Sequence, residues 1–370
     1  MAAAPELLPA MPARVLQLGP ALEVRGGISS VERLIVEHPA AAVSIRHVAT
    51  MEDGSPLRKA AVFMRAVRTL RAALCTDPEV LVHIHFSSRG STLRKLVLAW
   101  MTLRAGRPLV LHAHGSVFDQ FYDGLPRPAQ AAVRRIFSRA DCFLVLSTQW
   151  KRFYLARFAL DESRIRVLCN PAFLPPQAPR REGRARVQFL FLGRIGRRKG
   201  AFDLLAAFAA LAPAVRSRCR LVFAGDGEVE ALRVRARPFG AQVEVQGWID
   251  GARRAALLQE SDVFVLPSYH EGVPMALLEA MAFGLPLVTT PVGGIPDVVT
   301  DGVEGLMIHP GDIAHLQAAM ASLVDDEPLR LTLGQRARRR AEGLDVSRYS
   351  MELGRIYRQL LERERVRGPV

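Results

Sequence analysis

"VQFLFLGRIGRRKGAFDLLAAF", residues 187–208, decides the fold class. Its first seven residues form a nearly continuous apolar run of strand length, as expected of a parallel strand buried on both faces. Its last eight read as the start of a helix. The loop between them carries Arg194 and Lys199, and Gly200 allows close backbone approach where the helix begins. A helix N-terminus flanked by two cations suits an anion. A solvated basic loop is the competing reading, and the position straight after a buried strand weighs against it.

The same alternation runs almost throughout the chain. In the first half, strand-length runs fall at 14–19, 42–48, 80–86, 108–115, 142–147 and 164–170, with helical patterns between them such as 57–74, 91–104 and 128–139. "PAFLPPQAPRREGRAR" (171–186) has no period and reads as a linker. Strand patterns then resume at 187–193, 219–225, 243–248, 262–268, 286–294 and 304–310, separated by helical stretches. Two further helical segments, near 327–342 and 346–364, close the chain. A βα series of this kind predicts α/β architecture with doubly wound sheets. The expected organisation is a first Rossmann-like domain (1–171), a linker (172–186), a second Rossmann-like domain (187–345) and a terminal segment (346–370), with ligand bound in a cleft between the strand ends.

A chain of 370 residues is too long for one ordinary core, which also favours two domains. A hydrophobic content of 49% excludes a disordered chain. No stretch reaches about 18 uninterrupted apolar residues, which speaks against a membrane span. "MAAAPELLPAMPAR" has prolines where a signal peptide needs an apolar run, so the expected location is cytoplasmic. Cys75, Cys142, Cys169 and Cys219 lack the spacing of zinc ligands and read as buried reduced thiols. The net charge of +14 comes from an arginine excess in which only Lys59, Lys95, Lys151 and Lys199 are lysines. No aromatic-studded basic stripe points to nucleic acid.

The motifs gather at the expected strand ends of the second half. "HEGVPMALLEA" (270–280) holds Glu271 and Glu279 with seven residues between them. In one continuous helix they would lie about 12 Å apart along the axis and about 80° apart around it. Pro274 instead suits a helix start, which leaves Glu271 in the preceding loop and Glu279 about one and a half turns in. Backbone amides near Gly272, Val273, Met275 and Ala276 can then face a phosphate. Glu279 can accept from a diol such as a ribose, and Glu271 can serve the far end of the ligand. An extended molecule ordered base, ribose, pyrophosphate, hexose fits both. Alone, each glutamate also reads as an ordinary surface residue.

Together with Gly193-Arg194, Arg198-Lys199-Gly200, Gly225-Asp226-Gly227, Gly247, Pro267-Ser268 and "GLPLVTTPVGGIPDVV" (284–299), these residues make the second half resemble the retaining glycosyltransferases of the GT-B fold, group 1 or family 4, with their EX7E motif. The resemblance covers 187–310 in consistent order. It implies that Arg194 and Lys199 neutralise the donor pyrophosphate, that Glu279 binds the ribose and that Glu271 contacts the donor sugar. Base contacts are expected near "QGW" (246–248), beside Trp248, and Gly225 is expected to line the donor site.

The first half fits more loosely. "RGGISS" (25–30) resembles the family's glycine-rich loop, where Gly26 and Gly27 would approach the donor phosphates; a plain turn explains the pair equally well. "VLHAHGS" (110–116) puts His114 where the family has a histidine contacting the donor sugar. "HIHFSSRGSTLRK" (83–95) looks like a feature of bacterial polysaccharide assembly: His83 and His85 read as core, while Ser87, Ser88 and Arg89 are candidates for the acceptor cleft.

The resemblance further implies a nucleotide-sugar donor, UDP- or GDP-linked, a glycan or polyprenol-linked acceptor, and retention of configuration without a covalent intermediate. The adjacent aspartates, Asp325-Asp326, read as a helix end rather than a metal-binding DxD, so no metal and no cofactor are expected. "LRKLVLAWMTLRAGR" (93–107) is an apolar helix with basic ends, readable as a core helix or as contact with the inner face of the cell membrane. The rival functions are a GT-B epimerase, for which the EX7E arrangement is not expected, a phosphorylase, which would need a well-placed pyridoxal-phosphate lysine, and a non-catalytic GT-B-like binding protein.

Overall fold

The computed structural model describes residues 12–367. The proline-containing start, residues 1–11, lies outside the described residues. The chain divides into two compact units, one running to Leu168 and resuming at Val346, the other Cys169–Asp345.

Unit 1 opens with β1 (Ala13–Pro20), α1 (Gly27–Glu37), β2 (Val43–Met51), α2 (Pro56–Thr76), β3 (Leu81–Phe86) and α3 (Gly90–Arg104). It continues with β4 (Leu109–Ala113), α4 (Phe118–Asp123), α5 (Arg127–Phe137), β5 (Cys142–Val145), α6 (Thr148–Phe158) and β6 (Ile165–Val167). The six strands form one parallel sheet in the order β2-β1-β3-β4-β5-β6. Its core includes a cluster of rings, with Phe86 and Phe137 centroids 4.8 Å apart and Phe143 and Tyr154 4.7 Å apart.

Unit 2 begins with β7 (Val187–Leu192), α7 (Ala201–Ala210), α8 (Pro213–Arg216), β8 (Cys219–Ala224), α9 (Val229–Ala236) and β9 (Val243–Gly247). Then come α10 (Gly251–Glu260), β10 (Val263–Leu266), α11 (Met275–Ala282), β11 (Leu287–Thr289), β12 (Gly305–Met307), α12 (Ile313–Asp325) and α13 (Glu327–Glu342). Its sheet is also parallel, in the order β12-β11-β10-β7-β8-β9. The last helix, α14 (Val346–Arg367), belongs to unit 1, where Leu353, Ile356, Tyr357 and Leu360 are buried.

The strand orders mark the candidate sites. In an open doubly wound sheet, ligands bind beyond the carboxyl ends of the strands where the chain order reverses. In unit 2 that point lies between β7 and β10, and in unit 1 between β1 and β3.

Two sequence expectations change. The segment 172–186 is not a free linker; it packs on unit 2. Ala172 N donates to Leu344 O at 2.8 Å. Arg181 is buried and donates to the carbonyls of Ser261 (2.7 Å), Phe283 (2.9 Å) and Leu258 (3.0 Å). A guanidinium can close off several carbonyls at once, so a segment without apolar periodicity is still held. The four cysteines are all free, but only Cys142 and Cys219 are fully buried, and Cys75 is exposed.

Candidate active site

In unit 2 the chain leaves β7 at Leu192 and passes Gly193 and Arg194 to a single tight turn, Arg197–Lys199, before α7. Gly200 ends that turn with φ 69°, and a Cβ there would overlap the carbonyl oxygen of Pro267, just after β10. Glycine therefore presses the loops after two adjacent strands together. Arg198 Nη1 donates to His270 O at 2.9 Å, and Tyr269 N donates to Arg198 O at 2.9 Å.

This packing brings Lys199 and Glu271 into contact. Lys199 Nζ lies 2.6 Å from Glu271 Oε1, which also accepts from Ser268 Oγ at 2.8 Å. Glu271 is buried. Arg194 lies 3.8 Å from Asp226 with both side chains well exposed, a geometry worth about 0–1 kcal/mol, so its charge stays available. A cavity of about 460 Å³ opens here, bordered by Arg194, Arg197, Arg198, Lys199 and Glu228.

The other expected donor groups surround the same strand ends. Gly225 follows β8 and donates to Gly247 O at 2.6 Å, and half-exposed Trp248 follows β9. No side chain caps the start of α11, where Met275 stands after Pro274. Gly272 O accepts from Gly294 N at 2.6 Å and Val273 O from Asn170 Nδ2 at 2.8 Å, which fixes the approach to that helix.

Glu279 does meet a partner that sequence reasoning missed. Arg254 Nη1 of α10 lies 3.1 Å from each of its carboxylate oxygens. Burial raises the Glu279 pKa, while Arg254 works to lower it. Arg254 stands 25 residues away and carries no local signal of its own. The two glutamates are thus held separately, Glu271 by Lys199 and Glu279 by Arg254.

In unit 1 His114 follows β4, and its N–H donates to Phe86 O at 2.9 Å at the end of β3. Adjacent strands place His83, His85, His112 and His114 together, with His85 Nδ1 2.9 Å from His114 Nε2 and His83 Nδ1 2.8 Å from the Tyr357 hydroxyl. Burial pushes His83 and His114 down to about 3 and His85 and His112 well below the ordinary imidazole range, so all four are neutral near pH 7. His83 and His85 are buried in the core, as the sequence reading had it.

Ser87, Ser88 and Arg89 form the turn into α3. Thr92 Oγ1 donates to Ser87 O at 2.6 Å, Ser88 Oγ is buried without a partner among the described residues, and Arg89 has φ 59°. The last two are features that a ligand-facing turn can carry. Gly26 and Gly27 stand at the start of α1, with no side-chain cap. Buried Lys95, which sequence reasoning left in a helix, donates to Leu18 O (3.0 Å) and Thr50 Oγ1 (2.5 Å); burial pushes it down to about 7.

The imidazoles of His83, His85 and His112 offer ligand atoms within 4.8 Å of one another. Bonds of about 2.05 Å to a tetrahedral ion would place them roughly 3.3 Å apart, so a metal here would require the rings to close in.

Comparison with known proteins decides the family. Residues 178–340 match the family model described as "Glycosyl transferases group 1", and residues 29–172 match "Glycosyltransferase Family 4". The chain is a glycosyltransferase of the GT-B fold. This glycosyltransferase is 29% identical over 284 residues to a glycogen synthase of Mycobacterium tuberculosis, covering 68% of its own length and 67% of the relative's. It is 25% identical to the alpha-D-kanosaminyltransferase of Streptomyces kanamyceticus, covering 76% and 78%. A solved sucrose-phosphate synthase from Thermosynechococcus elongatus shares its fold with a TM-score of 0.74 at 24% identity, over 95% of this chain and 100% of that one.

Proposed function

We propose that this glycosyltransferase moves a hexose from a nucleoside diphosphate sugar to a glycan or lipid-linked acceptor in polysaccharide assembly, with retention of anomeric configuration and without a metal at the diphosphate. The observation that carries the reading is the Lys199–Glu271 contact at the reversal point of the unit 2 sheet, with Arg194 and the uncapped start of α11 at the same strand ends. As the glycosidic bond breaks, the diphosphate gains charge. Fixed cations and helix amides aimed at that charge favour the transition state over the ground state. In this reading Glu279, oriented by Arg254, accepts from the ribose, and Glu271 and His114 are assigned to the donor sugar.

A structural neighbour at 18% identity, Anabaena Alr3699/HepE, was solved in complex with UDP-glucose, which supports testing UDP first. The membrane reading draws support from the exposure of Leu93, Val97 and Trp100 on α3 beside Arg104. The test is a thermal-shift comparison of UDP, GDP and ADP. One diphosphate at about a hundred times its Kd contributes ~2.7 kcal/mol, a rise of roughly 5 °C or more in Tm. Lys199→Ala is expected to abolish the rise, and an unchanged rise in that variant removes Lys199 from the site.

A further inference from the structure

His114 can act on a ligand oxygen as donor or as acceptor, and the choice depends on which ring nitrogen carries its proton. Its Nε2 is already engaged with His85 Nδ1 at 2.9 Å. Each neutral imidazole has one N–H, so this contact needs one donor and one acceptor. A third group breaks the tie. Glu32, wholly buried on α1, holds Oε1 3.8 Å from that same Nδ1 of His85, and Oε1 has no hydrogen-bond partner among the described residues. The carboxylate is built into the fold: a Cβ at Gly19, near the end of β1, would overlap it. Burial raises the Glu32 pKa, while His47 Nε2, 3.3 Å from its other oxygen, and the field of Lys95 work to keep the carboxylate charged. A negative charge facing one nitrogen of a buried ring favours the proton on that nitrogen.

We propose that Glu32 and His85 are positioning residues: Glu32 keeps the proton on His85 Nδ1, His85 donates it to His114 Nε2, and His114 therefore holds its own proton on Nδ1. His114 then offers an N–H to an oxygen acceptor, such as a sugar hydroxyl or a phosphate oxygen, and is not a general base. The inference rests on the reading of His114 as a sugar-contacting residue, but its geometry can be tested without turnover.

The test is a long-range proton–nitrogen correlation spectrum of the full chain labelled at histidine, with His114→Ala to assign the signals. The expected result is His114 protonated on Nδ1 in the wild type. Glu32→Gln and His85→Leu should move that proton to Nε2. His85→Asn, whose amide N–H can stand where the ring N–H stood, should keep it on Nδ1. In turnover, His85→Leu should lower kcat at least tenfold with donor KM within about threefold, and His85→Asn should recover most of the loss. If His85→Leu does not fold, the isosteric Glu32→Gln carries the same comparison.

Wild-type His114 protonated on Nε2 overturns the inference, and so does an equal kcat loss in the Asn and Leu variants. A stoichiometric metal that leaves with chelator and shifts the His85 signals also overturns it. If the tautomer is as stated but His114→Ala keeps wild-type kcat, the sugar-contact reading fails instead.

Discussion

Lys199 and Glu279 illustrate how differently two charged residues of the candidate site depend on their surroundings. Lys199 sits against Glu271 at 2.6 Å with little exposure, so in the proposed reading a diphosphate would share it with a carboxylate already in place. Glu279 is held by Arg254. Removing Arg254 leaves a part-buried carboxylate unpaired; with Arg254 itself 39% exposed, solvent screening holds the cost to about 1 kcal/mol, less than for a fully buried pair. Arg254→Ala is therefore expected to lower the urea midpoint of unit 2 and weaken nucleoside diphosphate binding together. Glu279→Ala should relieve part of the stability loss in the double variant. A double-mutant cycle checks this, and additive effects would mean that the two side chains do not act as a pair. Both glutamates were legible from "HEGVPMALLEA" because a proline marks the helix start between them. Arg254 was not, because its partner is reached through the sheet rather than along the chain.

At the scale of elements, two segments show the reach of pattern reading. The strands were legible because parallel strands buried on both faces leave continuous apolar runs. Residues 172–186 were misread because Arg181 holds them through polar contacts, which leave no apolar period. Arg181→Met keeps bulk but strips several buried carbonyls of their donor, at about 1–3 kcal/mol for each left unsatisfied. The expected outcome is a fall in Tm of several degrees, read by calorimetry, with the stability of unit 1 unchanged.

The strands β3 and β4 carry a second consequence. Their histidines are neutral when folded but ionise near 6.5 when unfolded, so the unfolded state binds more protons below that pH. Stability should fall as pH drops from about 6.5 towards 3, by about 2 kcal/mol for His83 at pH 5. Lys95 acts in the same sense between about 7 and 10.5, where its folded form has already lost the proton. Glu32, whose pKa is raised by burial, works the other way above about 4.5. Urea midpoints measured from pH 7 to 5 check the histidine effect, and a flat profile would show that these rings are charged or paired in the fold.

For the whole molecule, the net charge of +14 and the exposed Leu57, Met64, Leu93, Val97 and Trp100 of α2 and α3 bear on membrane contact. No helix among the described residues is long and apolar enough to cross a membrane. In the proposed reading, contact with a membrane surface would be electrostatic and apolar together. Sedimentation with anionic vesicles is expected to recover the protein at low salt and lose it at 0.5 M salt, roughly three Debye-length halvings stronger in screening than dilute buffer. A Leu93→Ser, Trp100→Ser variant should bind at least tenfold less, and equal binding by neutral vesicles would assign the contact to something other than charge. By itself, the sequence determined the two doubly wound sheets and placed the glutamate pair on either side of a helix start, because burial and helix starts are written locally in apolar runs, glycines and prolines. Only the tertiary structure decided which charges meet: Lys199 with Glu271, Arg254 with Glu279, and Glu32 beside the histidines. Those partners come from different loops, strands and helices, and their distances are fixed by how each unit packs.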